Sequence, residues 1–344
     1  MINAISIKDF TAFKELDVRF SPGINILIGA NSTGKTHLLK LMYALTAVDF
    51  GEESSPDPSR ILTEKLRGVF KPEEKIGRLC RNDSEKANIQ LQTSSNKSIE
   101  IAFSSDMDEV AVTGTDEIES DIRLPVFIPP KEMLGSFPGF SSLYLQRELA
   151  IDETYFDLCL ALETPKLKEE PKKLVQSLLK TINDACEGEF LLMKQKRFYY
   201  KPSTGRILEA DLVAEGFRKL GMLQRLLQNG RINPGVAGPL FWDEPESNLN
   251  PSLMKQLVTV LVELARNKQQ LILATHDYVM LKWFDLLTNN NDKITFHALY
   301  KDENGEIMVN STADYQQIHP NAIDDTFASL IDHDVTRSMG DLGK

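Results

Sequence analysis

The sequence predicts an α/β fold with a mixed central sheet, and three strand-and-helix units predict it. Ile24–Ile28 is a nearly continuous apolar run that leads into a glycine-rich loop and then a helix. Pro239–Trp242 and Gln270–Ala274 are two further apolar strands, each followed by a helical segment. Continuous apolar runs are typical of strands that are covered on both faces. We therefore expect a central sheet with helices packed on its faces.

Shorter strands near the amino terminus predict a second, antiparallel sheet. Asn3–Lys8 and Leu16–Phe20 alternate apolar and polar residues, which is typical of half-buried strands. Asn88–Thr93, Ser98–Phe103 and Glu109–Thr113 are short strands separated by polar turns. Together these segments predict an amino-terminal antiparallel β-subdomain.

The middle of the chain predicts a helical insertion. Leu124–Ile128 is another buried strand, which Pro129 ends because proline supplies no ladder donor. The residues from Ser141 to about Gly188 are helical in pattern, and a long amphipathic helix runs from about Glu215 to Gln228. Between them lies a small β-meander, predicted at Phe190–Leu192, Arg197–Tyr200 and Arg206–Leu208. We expect residues 1–128 and 232–344 to form the core and residues 129–231 to form the helical lobe with the meander.

The last third of the chain completes the core. Helices are predicted at Pro251–Asn267 and Tyr278–Leu287, followed by strands at Ile294–Leu299 and Glu306–Val309. A terminal helix is predicted at about Asn321–Ile331.

Composition limits the classes of protein to consider. The chain has 344 residues, 42% hydrophobic and 26% charged, with a formal net charge of −11 that disfavours polyanions such as DNA. No apolar run approaches the roughly 20 residues that a membrane span needs, and Met1–Ala4 lacks the basic start of a secretory signal. Cys80, Cys159 and Cys186 form no zinc pattern and are interpreted as reduced thiols. We therefore expect a cytoplasmic protein without a membrane partner.

The loop after the first apolar strand matches the phosphate-binding pattern G-x-x-x-x-G-K-[ST]. The matching residues are Gly29, Ala30, Asn31, Ser32, Thr33, Gly34, Lys35 and Thr36. The glycines let backbone N–H groups point at a phosphate, and the following helix adds its positive end. Lys35 is predicted to reach the β- and γ-phosphates, and the Thr36 hydroxyl to take one position around Mg²⁺.

Two other strands end in residues that suit the same chemistry. Leu240–Glu244 ends in two carboxylates, so Asp243 is predicted to join the Mg²⁺ shell and Glu244 to orient and deprotonate water. Leu271–Ala274 leads to His276, which is predicted to hydrogen-bond the γ-phosphate or the attacking water. The candidate catalytic residues are therefore Glu244, His276 and Lys35.

In this order the motifs resemble those of the ABC-type ATPases, with a P-loop NTPase fold. The opening, from Ile5 through Gly29, is similar to the RecF, SMC and OLD-nuclease branch of that family. The stretch Pro245–Asn250 looks like the D-loop, which in the family crosses a dimer interface. The resemblance thus implies ATP and Mg²⁺ as ligands, a homodimer or larger homo-oligomer, and Asn248 and Asn250 as D-loop residues.

The sequence departs from the family pattern at two places. The signature Leu-Ser-Gly-Gly-Gln has its nearest counterpart at Val213–Lys219, where Gly216 is kept and Ala214 replaces the serine. Gly216, with a cation from Arg218 or Lys219, is the candidate replacement for that nucleotide contact. No Q-loop glutamine is recognisable. At that place Lys131 either approaches nucleotide or simply follows the prolines that end a strand.

The biological role rests on what the chain lacks beside the nucleotide motifs. There is no coiled-coil arm of the SMC kind, and Asp324, Asp325, Asp332 and Asp334 are interpreted as a solvated helix face rather than a Toprim nuclease site. The chain is similar to stand-alone ATPase components of prokaryotic antiviral systems such as PARIS and Septu. This resemblance implies a dimer that senses a trigger and controls an effector protein encoded nearby. The alternatives are a RecF-like DNA-repair ATPase and a scaffold that turns nucleotide over very slowly. The choice between ATP and GTP rests on the resemblance alone.

Overall fold

The computed structural model describes residues 1–48, 57–115, 123–193 and 196–341. Its strands are β1 (Ile2–Phe10), β2 (Phe13–Arg19), β3 (Ile24–Ile28), β4 (Lys86–Thr93), β5 (Ser98–Ser104), β6 (Ala111–Thr113), β7 (Val126–Ile128), β8 (Gly188–Met193), β9 (Arg197–Pro202), β10 (Leu208–Glu209), β11 (Leu240–Asp243), β12 (Leu271–Ala274), β13 (Ile294–Lys301) and β14 (Ile307–Thr312). Its α-helices are α1 (Lys35–Thr46), α2 (Pro58–Phe70), α3 (Phe140–Gln146), α4 (Glu153–Glu163), α5 (Lys173–Cys186), α6 (Glu215–Gln228), α7 (Pro251–Arg266), α8 (Tyr278–Leu287) and α9 (Ala322–Asp341).

The central sheet is mixed, as the sequence predicts, and its strand order is β14-β13-β3-β12-β11-β7. The strands are parallel except β14, which pairs antiparallel with β13. Alternate residues of β3 face opposite sides of the sheet. Ile26 packs into the core formed with α6, α7 and α8, whereas Leu27 packs into the core shared with α1 and the amino-terminal strands. The continuous apolar run therefore serves two cores.

The amino-terminal sheet is antiparallel, with the order β2-β1-β4-β5-β6. The side chain of Gln270, directly before β12, joins this sheet to the central sheet. Gln270 Oε1 accepts a hydrogen bond from the Ile2 N–H at 2.9 Å, and its Nε2 donates to the carbonyl oxygens of Ile2 at 2.8 Å and Ser21 at 2.9 Å. These bonds join backbone groups at the open end of the β1–β2 hairpin to the central sheet.

The lobe contains α3, α4, α5 and the three-stranded sheet β10-β9-β8. Ion pairs connect α4 and the residue that caps it to the helices of the core. Lys40 Nζ lies 2.8 Å from Asp152 Oδ2, and Lys65 Nζ lies 2.8 Å from Glu153 Oε1 and 2.6 Å from Asp157 Oδ2. Lys40 belongs to the helix that follows the glycine-rich loop, so the lobe is joined to the same helix that supports that loop.

Two helices differ from the sequence-based prediction. The terminal helix extends ten residues beyond Ile331, to Asp341, and its second half contains an exposed ion pair from Arg337 Nη2 to Asp334 Oδ1 at 3.0 Å. Helix α2 was not predicted. Its signal was the pair Asp57-Pro58, since the Asp57 side chain accepts the Ser59 N–H and proline is favoured in the first turn.

A helix that crosses a lipid bilayer is long and apolar along its whole length. None of the described helices combines the length and apolar character that would let it cross a membrane.

Candidate functional site

The glycine-rich loop connects β3 to α1 and adopts backbone conformations that favour glycine. Gly29 has φ +148° and Gly34 has φ +84°. A Cβ on Gly29 would lie 2.2 Å from the Leu299 carbonyl oxygen, and a Cβ on Gly34 would lie 2.5 Å from the Phe13 ring. The loop is thus pressed against β13 and the β1–β2 hairpin, and both glycines are required by space as well as by conformation.

The amino-terminal end of α1 is open toward the loop. Gly34 caps the helix without a side-chain hydrogen bond, and no acidic residue lies in the first turn. Lys35 Nζ donates to the carbonyl oxygens of Gly29 at 2.7 Å and Ala30 at 3.0 Å, so the ammonium lies over the loop. Burial lowers the pKa of Lys35, and the charges of Asp243, Glu244 and Glu246 oppose that shift. Free N–H groups, a helix dipole and a cation together form an anion site.

Two oxygen ligands meet at the edge of this anion site. Thr36 Oγ1 donates to Asp243 Oδ2 at 2.9 Å, across 207 residues of sequence. Burial raises the pKa of Asp243 to about 6, with a further rise from Glu244, while the Thr36 hydrogen bond opposes both. The carboxyl end of β11 therefore delivers Asp243 to the first turn of α1, where the two side chains could share a cation.

Glu244 follows Asp243 in a left-handed backbone conformation, with φ +48°. This conformation turns the chain at the end of β11 and places both acids in one cleft, although neighbours along a strand point to opposite faces. The Glu244 side chain is 39% exposed. The cleft has a volume of about 460 Å³. It is lined by Ala12, Asn31, Ser32, Thr33, Gly34, Lys35, Thr36, His37, Asp243 and Glu244.

His276 lies beside these acids, after the end of β12. Its Nδ1 is 3.7 Å from Glu244 Oε1 and 3.6 Å from Glu246 Oε1. Glu246 is buried, and its Oε1 accepts the backbone N–H of His276 at 3.0 Å. Burial raises the pKa of Glu246. The histidine ring is thus within reach of Glu244, held by a carboxylate that sequence reasoning did not single out.

The structure brings together the predicted residues of the three strand ends. Lys35, Thr36, Asp243 and Glu244 share one cleft, and His276 adjoins Glu244. Gly216 and Asn248 lie outside this cleft, against one another: a Cβ on Gly216 would be 3.3 Å from the Asn248 carbonyl oxygen. Their contact with nucleotide stays a prediction, which requires a second subunit.

The two cations of the signature-like segment have other partners than a phosphate. Lys219 is fully buried, and its Nζ donates to backbone and side-chain oxygens of the turn after β11. Arg218 Nε donates to Glu132 Oε1 at 2.6 Å. The prediction that a cation of this segment replaces the missing signature serine at the nucleotide is therefore wrong for Lys219. The Arg218 guanidinium is already paired with Glu132.

Three residues near the cleft were missed. His37 and Ala12 line it, and Tyr155 of α4 lies near enough to Asp243 and Glu244 for their charges to raise its pKa, after burial and Asp152. The signal for His37 was its place directly after the motif. Ala12 and Tyr155 reach the cleft through tertiary contacts, which the sequence does not display. Lys131, the residue weighed as a nucleotide contact, is exposed.

The donor set suits a magnesium–nucleotide complex. Within the described ranges, no group of three His, Cys, Asp or Glu side chains could hold a metal by itself. Mg²⁺ commonly takes one or two protein oxygens and completes its octahedron with phosphate oxygens and water. The Thr36 hydroxyl and the Asp243 carboxylate, next to an anion site, match that mode.

Comparison with known proteins identifies two related family models. The model described as "AAA ATPase domain" matches residues 1–205, which is more than half of the chain. The model described as "AAA domain, putative AbiEii toxin, Type IV TA system" matches residues 160–282.

Short segments of the chain resemble proteins named "DNA replication and repair protein RecF". The protein from Oenococcus oeni is 49% identical over 45 residues, 13% of this chain and 12% of the relative. The protein from Ligilactobacillus salivarius is 32% identical over 72 residues, 21% of this chain and 19% of the relative. These matches therefore span less than a fifth of the relatives' length.

Solved SMC head structures share the fold over almost the whole chain. The SMC head bound to the C-winged helix domain of ScpA gives a TM-score of 0.60 at 14% identity, covering 90% of this chain and 97% of that one. The SMC head domain from Thermotoga maritima gives 0.50 at 13% identity, covering 90% and 98%. The predicted fold class, a P-loop ATPase with a mixed sheet and an antiparallel amino-terminal sheet, is confirmed.

Proposed function

The chain belongs to the AAA ATPase domain family, and from that premise we propose that it binds ATP with Mg²⁺ and hydrolyses it to ADP and phosphate. We further propose that it works in the cytoplasm as a dimer that controls a separate effector protein. The contact between Thr36 and Asp243, at 2.9 Å, carries the first proposal, since it unites two motifs far apart in sequence.

Each residue of the cleft has a distinct role in the proposed reaction. Lys35 and the backbone N–H groups of the loop bind the β- and γ-phosphates. Thr36 and Asp243 would hold Mg²⁺, which when bound neutralises charge that develops on the transferred phosphoryl group. Glu244 orients a water molecule and accepts its proton as general base. His276, beside Glu244, donates or accepts a hydrogen bond at the same water or at the γ-phosphate.

Turnover of ATP by the wild type and by Glu244→Gln tests the catalytic proposal. Because general-base catalysis contributes roughly 10²- to 10⁴-fold, we expect kcat to fall by at least about a hundredfold while nucleotide binding persists. Phosphate release with and without Mg²⁺ measures this. Equal, near-zero rates for the two proteins would favour the slow scaffold, for which Ala214 in place of the signature serine is the motivating feature.

A dimer is the simplest way to give Gly216 and Asn248 a role at nucleotide. Both lie away from their own cleft, and in the ABC-type family the corresponding segments meet the nucleotide of the opposite subunit. Light scattering of Glu244→Gln after size exclusion, with and without ATP, tests the dimer. A mass of one chain, 38.8 kDa, under both conditions would contradict it.

The lobe offers the surface for an effector. Leu143, Leu145, Leu160 and Leu167 of this region are each more than 40% exposed, so the lobe presents large apolar side chains that a partner could cover. The family model described as "AAA domain, putative AbiEii toxin, Type IV TA system" motivates the proposed role in antiviral defence, in which the effector is encoded nearby. Purification together with the products of neighbouring genes tests this. Persistence as a lone chain in ATP would contradict it.

A RecF-like role in DNA repair is the second candidate, and the identity with RecF proteins favours it. It predicts that DNA stimulates ATP turnover and that binding weakens steeply with salt. The net charge of −11 counts against it. Turnover assays with and without duplex DNA at two salt concentrations separate the two candidates.

A further inference from the structure

Lys219 of α6 is fully buried, yet it carries a cation into the core of the protein. Its Nζ donates to the Glu244 carbonyl oxygen at 3.0 Å, to the Ser247 carbonyl oxygen at 2.8 Å and to Ser247 Oγ at 2.8 Å. An ammonium has three donors, and all three have acceptors in the turn that follows β11. Burial lowers the pKa of Lys219 to about 8, against the opposing pull of Glu246 and Glu215. Burying a cation is unfavourable, so this arrangement needs a reason.

The turn that accepts the Lys219 hydrogen bonds contains Glu244, whose backbone conformation is uncommon for residues other than glycine. Glu244 has φ +48°, and hydrogen bonds hold the backbone on both sides of its Cα. Its N–H donates to the Ala274 carbonyl oxygen at 2.9 Å, and its carbonyl oxygen accepts the Ser247 N–H at 3.1 Å in addition to Lys219. Strained backbone persists where the surroundings over-determine it, and such positions cluster at functional sites.

We propose that Lys219 is a positioning residue that holds Glu244 in this left-handed conformation, so that ATP turnover depends on the start of α6. The inference rests on the proposed function, because it assigns Glu244 the role of general base. Lys219 itself does not line the nucleotide cleft. It acts through the Glu244 backbone, and its loss would let that backbone relax and turn the carboxylate away from the cleft.

A second set of bonds joins the segment after β7 to the same helix. Ser247 Oγ donates to the Pro130 carbonyl oxygen at 2.9 Å, and Arg218 Nε donates to Glu132 Oε1 at 2.6 Å. We call Glu132, Arg218, Lys219 and Ser247 the clasp. Through the clasp, the segments after β7 and β11 are both fastened to the helix that begins at the signature-like segment. A displacement of that segment by a second subunit would therefore move the Glu244 backbone.

The Lys219→Met variant tests the proposal, since methionine keeps an unbranched side chain of similar length and removes the three donors. We expect kcat for ATP to fall by about tenfold to a hundredfold, part of the full general-base contribution. We expect the Kd of a fluorescent ATP analogue to stay within threefold of the wild-type value. Hydrogen exchange of the peptide spanning residues 244–250 should be faster in the variant, because one restraint on this turn is gone.

Two further variants complete the experiment, one as a control and one as a second test. Arg225→Met removes another buried cation of α6, whose Nε donates to the Leu162 carbonyl oxygen at 3.0 Å and which lies outside the clasp, so its kcat should stay within threefold of wild type. Ser247→Ala keeps two of the three Lys219 acceptors and should give a loss of about threefold to tenfold in kcat without a change in Kd. It also keeps the proposal testable if Lys219→Met does not fold.

The outcomes separate the two proposals. Turnover in Lys219→Met equal to wild type, or a loss of kcat matched by an equal loss of affinity, would overturn the positioning role alone. So would equal losses of kcat in Arg225→Met and Lys219→Met. A wild type that binds ATP without hydrolysing it would overturn the catalytic proposal, and the positioning role would fall with it.

Discussion

The phosphate loop, Gly29–Thr36, and the clasp both bond to the segment that runs from Asp243 to Ser247, and they do so in different ways. The loop is contiguous in sequence, and its shape follows from glycines that fit against the Leu299 backbone and the Phe13 ring. The clasp unites residues from three separate segments by means of buried charges. The comparison teaches that the phosphate loop is set by local backbone geometry, whereas the part that we propose orients the general base depends on long-range contacts.

The largest expected effect comes from the cation of the loop. Lys35→Ala should weaken binding of ATP by about a hundredfold or more, because hydrogen bonds to charged groups contribute up to roughly 3 kcal/mol. Turnover should fall to background. Titration with a fluorescent ATP analogue measures this, with Lys14→Ala, an exposed residue outside the cleft, as the control. Unchanged affinity in Lys35→Ala would show that the loop does not bind phosphate.

The free energy of unfolding should depend on pH through His297 of β13, which contacts β3, the strand that leads into the phosphate loop. His297 is buried; its Nδ1 lies 2.8 Å from Ser311 Oγ and its Nε2 lies 3.3 Å from Asn25 Oδ1 in β3. Burial lowers the pKa of His297 to about 4, from 6.5. As the pH falls below 6.5 the unfolded chain takes up this proton first, so the stabilisation is complete above pH 6.5 and lost toward pH 4. The expected loss is about 3 kcal/mol.

Urea denaturation of the wild type and His297→Gln at several pH values measures this contribution. Since other groups titrate in both proteins, the difference between the two curves isolates His297. A difference that stays constant between pH 6.5 and pH 4 would contradict the neutral, buried histidine.

The Gly34→Ala variant tests how strongly the shape of the phosphate loop depends on a residue without a Cβ. Gly34→Ala should destabilise the fold by about 2 kcal/mol, because alanine is disfavoured at φ +84° and its Cβ would meet the Phe13 ring. Chemical denaturation measures the free energy of unfolding. A value within 0.5 kcal/mol of wild type, roughly the scatter of a surface substitution, would show that the loop tolerates change.

The matching change near the clasp should have the smallest effect. In Gly216→Ala the new Cβ would lie 3.3 Å from the Asn248 carbonyl oxygen, a tight contact that a gain in helix propensity of roughly 1 kcal/mol offsets. We expect the free energy of unfolding to change by less than about 1 kcal/mol, in the same denaturation assay. A larger loss than that of Gly34→Ala would reverse the contrast between the two regions.

The sequence predicts the sheets and the loop because their signals are local. Apolar runs mark β3, β11 and β12, and the glycine-lysine pattern marks the phosphate loop. Parallel strands then bring Asp243 and His276 to one edge of the sheet, which is why those residues could be named in advance. The role of Lys219 could not be predicted, because nothing in the sequence distinguishes a buried lysine from a solvated one on a helix with mixed polarity.

The amide of Gln270 links the two sheets at the end of the β1–β2 hairpin that lies away from the cleft. It holds Ile2, at the start of β1, and Ser21, after β2, through three hydrogen bonds, whereas Ala12 and Phe13 beside the phosphate loop lie at the other end of the hairpin. On the lobe side of the cleft, Tyr155 belongs to α4, which the mostly buried ion pairs of Lys40 and Lys65 join to α1 and α2. The two sheets of the core are therefore joined by a neutral amide, whereas the lobe is joined to the core by charges.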